Sequence, residues 1–318
     1  MHPLVSIITP TFNQAAFLRE TVESVLGQDY PHVEHLVIDD GSTDETRSVL
    51  ESFGSRLRWW SRPNRGQTPT INEGFAACGG DVVTWLNSDD TLLPGAASWA
   101  VSALSRHVEA GVVFGDTLFT DSDGSPLFHS TALPFDYEAL VVECHNPIPQ
   151  CSSFIRRSVL EATGPLDPAF YYFMDWDLWL RAGLRRPIVY EPVLLSTYRL
   201  HPDSKTMAQP RRSAPELEYM YRRYFEGDQV PPHIRRRQRE AFANMYFTTA
   251  GYFIRGGDRQ AGRRMACRAV RADPGGALRI RQMRRFVYCL LGGRRDSFTS
   301  GGGPPVAPRQ PPCGRAHP

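Results

Sequence analysis

Two adjacent carboxylates, Asp89 and Asp90, close the stretch Thr84-Trp85-Leu86-Asn87-Ser88-Asp89-Asp90. The run Asp81–Leu86 ahead of them is short, β-branched and aromatic and follows Gly79-Gly80, so it reads as a buried strand of an α/β sheet. Ligands of open α/β sheets sit beyond the carboxyl ends of the strands. Carboxylates delivered there can hold a hard divalent cation, which binds through one or two carboxylates plus the phosphates of a substrate. The competing reading is a cap for the helix that Pro94 opens. A further acidic group, Asp175 in Met174-Asp175-Trp176-Asp177, stands at the start of a helical pattern with apolar Leu178, Trp179 and Ala182. Taken alone it reads as an N-cap, where the helix dipole favours the ionised form.

The elements that must position these groups follow from periodicity. Val5–Thr9 reads as a first strand running into Pro10-Thr11-Phe12-Asn13, a turn whose hydroxyl and amide could line a ligand pocket. Helical spacing over Phe17–Leu26, a strand over His35–Ile38, a helix over Glu45–Phe53 capped by Thr43 or Asp44, a strand over Leu57–Trp60 and a helix over Pro69–Cys78 precede the acidic stretch. This β-α-β-α-β-α-β order predicts a parallel sheet with helices on both faces. Further on come a helix over Ala96–His107, a strand over Val112–Gly115, a hairpin turned at Asp123-Gly124, and a strand over Glu191–Arg199.

Four motifs in this order carry a resemblance: Ser6-Ile7-Ile8-Thr9-Pro10-Thr11-Phe12-Asn13, Val37-Ile38-Asp39-Asp40-Gly41-Ser42-Thr43-Asp44, Asn64-Arg65-Gly66 and Asn87-Ser88-Asp89-Asp90. Together the chain resembles family 2 glycosyltransferases, to about His201. The resemblance implies the GT-A fold, a Rossmann-like, mostly parallel α/β sheet, and a nucleoside diphosphate sugar in the first half. It places Thr9, Pro10, Thr11, Asn13, Asn64, Gly66, Gln67, Asn72, Asn87, Ser88 and Gln150 along that donor, with Asp39 or Asp40 near base and ribose. A carboxylate after a strand can accept from a ring N–H or a ribose hydroxyl; the competing reading of Asp39-Asp40-Gly41-Ser42 is a turn with a cap. The resemblance further implies a Mn2+ or Mg2+ ion on Asp89, with Asp90 and His201 as further ligands, and Ser204 and Lys205 near phosphate. Met174-Asp175-Trp176-Asp177 is similar to the acceptor-side motif in which Asp175 is the catalytic base and Asp177 a supporting group. Two departures stand out: Asn87 replaces the first Asp of the metal motif, and Met174 replaces a Glu. Ile71 stands where many members have an arginine.

Composition bounds the rest. The 318 residues are nearly balanced in charge, at +2, yet residues 1–209 hold 14 basic against 26 acidic side chains, a balance of −12, and residues 210–318 hold 22 against 8, a balance of +14. Two differently employed segments are implied: a domain over 1–209 and a helical region over 210–296, followed by a Gly/Pro-rich disordered tail over 297–318. The arginines are spread through the helical patterns Glu216–Phe225, His233–Arg255 and Asp258–Arg271, so no nucleic-acid partner is expected. Phe286–Leu291 between arginine pairs instead suits an anionic membrane surface. Cys78, Cys144, Cys151, Cys267, Cys289 and Cys313 show no C-x-x-C, which points to a reducing compartment. No run reaches the roughly 18 apolar residues of a membrane span, and Val5-Ser6-Ile7-Ile8 is too short for a signal peptide. A cytoplasmic protein, peripheral at the inner face of the membrane, is the expectation.

The function expected from these residues is inverting transfer of a sugar to a hydroxyl of a glycan or lipid-linked acceptor in cell-surface polysaccharide synthesis. A nucleotidyltransferase of similar fold would want a Gly- and Lys/Arg-rich phosphate loop after its first strand, which Thr9-Pro10-Thr11-Phe12-Asn13 does not offer. An inactive nucleotide-sugar-binding module is the other alternative, hinted at by Asn87 and Met174.

Overall fold

A computed structural model of the chain describes residues 2–202, 204, 210–276 and 280–291. The tail expected over 297–318, Lys205 and Cys313 lie outside the described residues. In chain order the first half runs β1 (Val5–Thr11), α1 (Ala15–Leu26), β2 (Val33–Asp39), α2 (Thr46–Glu51), β3 (Arg58–Ser61), α3 (Gln67–Ala77) and β4 (Val82–Trp85). The middle runs β5 (Thr91–Leu92), α4 (Ala96–Arg106), β6 (Val112–Thr120), β7 (Pro126–Ser130), α5 (Tyr137–Val142), β8 (Ser153–Arg156), α6 (Arg157–Thr163), α7 (Met174–Gly183) and β9 (Ile188–Arg199). The C-terminal region comprises α8 (Pro210–Glu226), α9 (Pro232–Arg236), α10 (Gln238–Arg255), α11 (Arg259–Ala272) and α12 (Ile280–Leu291).

The sheet order is β3-β2-β1-β4-β8-β6-β9-β5, with β7 on β6. The first four strands are parallel, as their helical crossovers require. Beyond β4 the sheet is mixed: β8 is antiparallel to both β4 and β6, β9 is parallel to β6, and β5 is antiparallel to β9. The expected parallel sheet is thus a parallel half, β3-β2-β1-β4, joined at the antiparallel β4–β8 pair to a mixed half.

All seven residues of β1 are buried, since β2 and β4 flank it. Successive side chains go to opposite faces. Ile8 joins Ile38, Ile71, Trp85, Phe114 and Trp179 on one face, whereas Ile7 joins Leu86, Ala100, Leu104 and Phe154 on the other. Each such aliphatic or aromatic side chain contributes about 1.5–3 kcal/mol on burial. Gly74 lets α3 ride close over β1: a Cβ there would stand 2.4 Å from Ile8 Cγ2.

The Ile8–Trp85–Trp179 cluster continues without a break into Leu217, Met220, Tyr221, Phe225 and Met245 of the helical region. The boundary expected at residue 209 falls among residues that are not described, and the apolar core crosses it. The expected helix over His233–Arg255 is broken at Arg237, and Pro215 lies inside α8. On α12, within the stretch Phe286–Leu291, Phe286, Tyr288 and buried Cys289 pack against the protein while Val287 and Leu290 are exposed. With exposed Met283 one turn earlier, Val287 and Leu290 form an outward apolar stripe. Among the described residues no helix is long and apolar enough to cross a membrane, and Cys78, Cys144, Cys151, Cys267 and Cys289 are free.

Candidate active site

A cleft of about 1010 Å³ opens at the carboxyl ends of β1 and β4 and is walled by the loop ahead of α7 and the chain after β9. Pro10, Thr11, Asn13, Asp40, Asn64, Gly66, Gln67, Asn87, Ser88, Asp89, Gln150, Asp175 and His201 all line it. The four motifs therefore meet in space, although Gln150, Asp175 and His201 come from far along the chain.

The loops that form the cleft are fastened to one another. Asn13, with φ of 53°, accepts at Oδ1 from the Thr43 N–H at 2.8 Å, and its own N–H donates to Ser42 Oγ at 2.9 Å. Asp40 is buried and holds the 62–66 loop: the N–H groups of Arg65 and Gly66 donate to it at 2.8 and 2.9 Å, and Arg62 pairs with it. Gly66 has φ of 92°, a left-handed conformation that a side chain would strain. Arg62 also reaches Glu73 at 2.6 Å and Thr70 Oγ1 at 2.8 Å, so the loop is set before any ligand arrives.

Four expected donor or metal residues are placed elsewhere. Thr9 is inside the sheet, bonded at 2.9 Å to His35, whose imidazole burial pushes down to about 3. Asn72 clamps Leu166, donating to its carbonyl at 2.7 Å and accepting its N–H at 2.9 Å. Asp39 accepts from Ser42 N–H at 3.0 Å and Ser61 Oγ at 2.6 Å. Asp90 is 1% exposed and accepts the Arg199 N–H at 3.1 Å. Burial, with the Asp89 charge beside it, raises Asp90 well above the usual carboxylate range. Successive residues of β1 and at the end of β2 point opposite ways, so Pro10 and Asp40 reach the cleft while Thr9 and Asp39 tie strands together; the turn at Ser88-Asp89 likewise parts Asp89, which lines the cleft, from buried Asp90.

Asp89 meets His201 across 112 residues of sequence, with Oδ2 3.0 Å from Nε2. Phe17 packs against the imidazole, ring centroids 4.8 Å apart. Buried Arg199 orders this corner: it donates to the carbonyl oxygens of Asp89 and Ser122 at 3.1 and 3.0 Å and pairs with Glu20. The carbonyl oxygen of Asn87, which stands in for a metal-motif carboxylate, accepts from Gln67 at 2.7 Å. Among the described residues no group of three or more His, Cys, Asp or Glu forms a complete metal cage. A carboxylate beside an imidazole could nevertheless help hold a divalent cation, Mn2+ being the better match because Mg2+ prefers oxygen ligands alone.

Also lining the cleft, Asp175 occupies the first turn of α7. Trp179 of α7 stacks on Trp85 of β4, centroids 6.3 Å apart, which couples this helix to the strand that delivers Asp89. Met174 fills the place of the expected Glu and receives the Thr68 hydroxyl at 3.0 Å. Asp177 turns away from the cleft and binds Arg181 at 2.7 Å. Burial raises the Asp177 carboxyl, against the pull of Arg181.

With this geometry, comparison with known proteins is decisive. A family model described as Glycosyl transferase family 2 matches residues 6–164. A Mycobacterium tuberculosis protein named an uncharacterized glycosyltransferase is 30% identical over 254 residues, covering 76% of this chain and 93% of that one. The chain belongs to glycosyl transferase family 2. The O-antigen biosynthesis protein RfbC of Myxococcus xanthus is 34% identical over 187 residues, 56% of this chain and 14% of RfbC. Relatives from Rickettsia species, each named an uncharacterized glycosyltransferase, are 27–30% identical, and the chain spans 30–70% of their length. Two solved structures share the GT-A fold. S. aureus TarS 1-349 in complex with UDP-GlcNAc gives a TM-score of 0.63 at 16% identity, covering 91% of this chain and 90% of that one. The mannosyltransferase PcManGT from Pyrobaculum calidifontis, in complex with GDP-Man and Mn2+, gives 0.60 at 18% identity, covering 92% and 86%.

One residue of this family 2 chain carries no sequence signal. Glu216 of α8 accepts the N–H groups of Tyr172 and Phe173, at 2.6 and 2.7 Å, immediately before α7. The cap position Phe173 offers no side-chain cap of its own, so the helical region supplies the acceptor from 43 residues away. Glu216→Ala leaves two N–H groups without their acceptor, an expected stability loss of about 1–3 kcal/mol. It also loosens the first turn of α7, which carries Asp175; if Asp175 takes part in the chemistry, a small displacement there costs up to about 10²-fold in rate. Melting curves and transfer rates of Glu216→Ala and Glu216→Gln check this: partial rescue by Gln is expected, and an unaltered rate in Glu216→Ala would remove Glu216 from any positioning role.

Proposed function

We propose that this glycosyltransferase is an inverting, cation-dependent enzyme that moves a sugar from a nucleoside diphosphate donor to a hydroxyl of a glycan or lipid-linked acceptor. The observation that carries this is that Asp89, paired with His201, and Asp175 line the same cleft. Donor binding falls to Pro10, Thr11, Asn13, Asp40, Asn64, Gly66, Gln67, Asn87, Ser88 and Gln150, which line the same space. Asp89 and His201 would hold Mn2+ or Mg2+, whose contribution is to offset charge on the diphosphate. Asp175 accepts the proton of the attacking acceptor hydroxyl as general base.

The Mn2+ and GDP-Man of PcManGT and the UDP-GlcNAc of TarS support a nucleotide-sugar donor and a cation. RfbC supports a place in cell-surface polysaccharide synthesis. Against a nucleotidyltransferase, the turn after β1 presents Phe12, Asn13 and Gln14 and no basic residue. Thermal stabilisation by a panel of nucleotide sugars, with and without manganese, tests the assignment. One donor is expected to raise the melting temperature in a manganese-dependent way; no shift with any nucleotide sugar would refute it.

The reading is completed by a cytoplasmic location at the inner face of the membrane, which suits the free cysteines. Met283, Val287 and Leu290, with exposed Arg284 beside them, form the docking stripe. Val287→Asp is expected to reduce flotation with phosphatidylglycerol vesicles severalfold without lowering donor affinity; undiminished flotation would dismiss the stripe.

A further inference from the structure

The helical region contains a second cavity, of about 550 Å³, remote in composition from the donor cleft. Four arginines line it, Arg222, Arg235, Arg236 and Arg239, together with the rings of Phe242 and Tyr246, and among the described residues no acidic side chain does. The sequence builds it simply. The break at Arg237 brings the end of α9 against the start of α10, and Arg239, Phe242 and Tyr246 follow at helical spacings of three and four, on one face of α10. Arg222 comes from α8.

The arginines are unequally compensated. Arg222 pairs with Glu218 at 2.8 Å, but that carboxylate also serves Arg268 at 2.6 Å. Arg235 donates to the carbonyl oxygens of Phe225 and Gly227, at 3.0 and 2.5 Å, which fixes its guanidinium without neutralising it. Arg236 and Arg239 are exposed and make no ion pair among the described residues. Like charges gathered this closely repel, and an anion relieves the repulsion. The planar guanidinium fork matches phosphate oxygens two at a time. The aromatic rings favour an organic phosphate ester over a bare ion, since they cover its apolar part.

We propose that this arginine-lined cavity binds a phosphate ester, either an anionic lipid headgroup or a soluble phosphate ester of the same chemistry. The site does not depend on the glycosyl-transfer reading, because none of its residues lines the donor cleft.

The full-length chain, R236A/R239A and the control R56A/R185A are compared for binding to phosphatidylcholine vesicles with and without phosphatidylglycerol, and to soluble glycerophosphate. The control removes the same charge from exposed positions of the sheet domain. Melting curves establish that both variants fold. Each cation near an anionic surface contributes about 1 kcal/mol, so R236A/R239A is expected to bind about 30-fold more weakly while the control changes by less than about threefold. Loss confined to the phosphatidylglycerol vesicles assigns the site to a headgroup in a bilayer; loss with glycerophosphate as well assigns it to the phosphate ester itself. Equal losses in both variants would mean diffuse charge and overturn the proposal. So would wild-type binding by R236A/R239A, or no binding of either probe by the wild type.

Discussion

Asp175→Asn is expected to keep its fold and donor affinity and to lose transfer activity by about 10²–10⁴-fold, the usual range for removal of a general base. The side chain stands in the first turn of α7, where Asn is nearly isosteric. The turn itself is held by Glu216 at the N–H groups of Tyr172 and Phe173, so its integrity does not hang on the Asp175 charge. Asp177→Asn is expected to behave in the reverse way. Its carboxylate faces Arg181, which in turn donates to the carbonyl oxygens of Thr163 and Gly164, so that variant loses stability and keeps its chemistry. Transfer rates and melting temperatures of the two variants decide between them. A near-wild-type rate in Asp175→Asn refutes the assignment, and an inactive, stable Asp177→Asn would show the base to be the other carboxylate.

The second large effect is expected at Asp89. Asp89→Ala removes the carboxylate that faces His201, and with it, on the proposed reading, the cation that would offset diphosphate charge. Several kcal/mol of charge stabilisation are at stake, so a loss on the order of 10²-fold or more in transfer is expected, matched by the wild type under a chelator. The corner should survive the change. Arg199 grips the backbone carbonyl of Asp89 and the carboxylate of Asp90, not the Asp89 side chain. Asp90→Ala is therefore the contrasting variant, destabilised because the Arg199 N–H loses its acceptor. Full activity in Asp89→Ala, or in chelated wild type, would show that no cation is needed.

The parallel half was legible in the sequence because each of its motifs sits at a strand end, and strand ends of a parallel sheet converge by geometry alone. Within a motif the sequence could not tell which carboxylate faces the cleft. Asp39 and Asp40, like Asp89 and Asp90, are chemically alike, and only the pleat at the end of β2, the turn at Ser88-Asp89 and the partners Ser61 and Arg199 separate their roles. The mixed half of the sheet was less legible, since two-residue β5 and four-residue β8 are too short to show a period. Glu216 was invisible for a different reason: it looks like any solvated glutamate of an amphipathic helix, and its purpose exists only once α8 packs beside the loop ahead of α7.

Direct displacement with Asp175 as base is tested most directly by the first-formed anomer of the transferred sugar, read by proton NMR during turnover of an α-linked donor. A β product is expected, because the hydroxyl attacks opposite the departing diphosphate. An α product would mean that a carboxylate had acted as nucleophile in a double displacement, and would contradict the role assigned to Asp175.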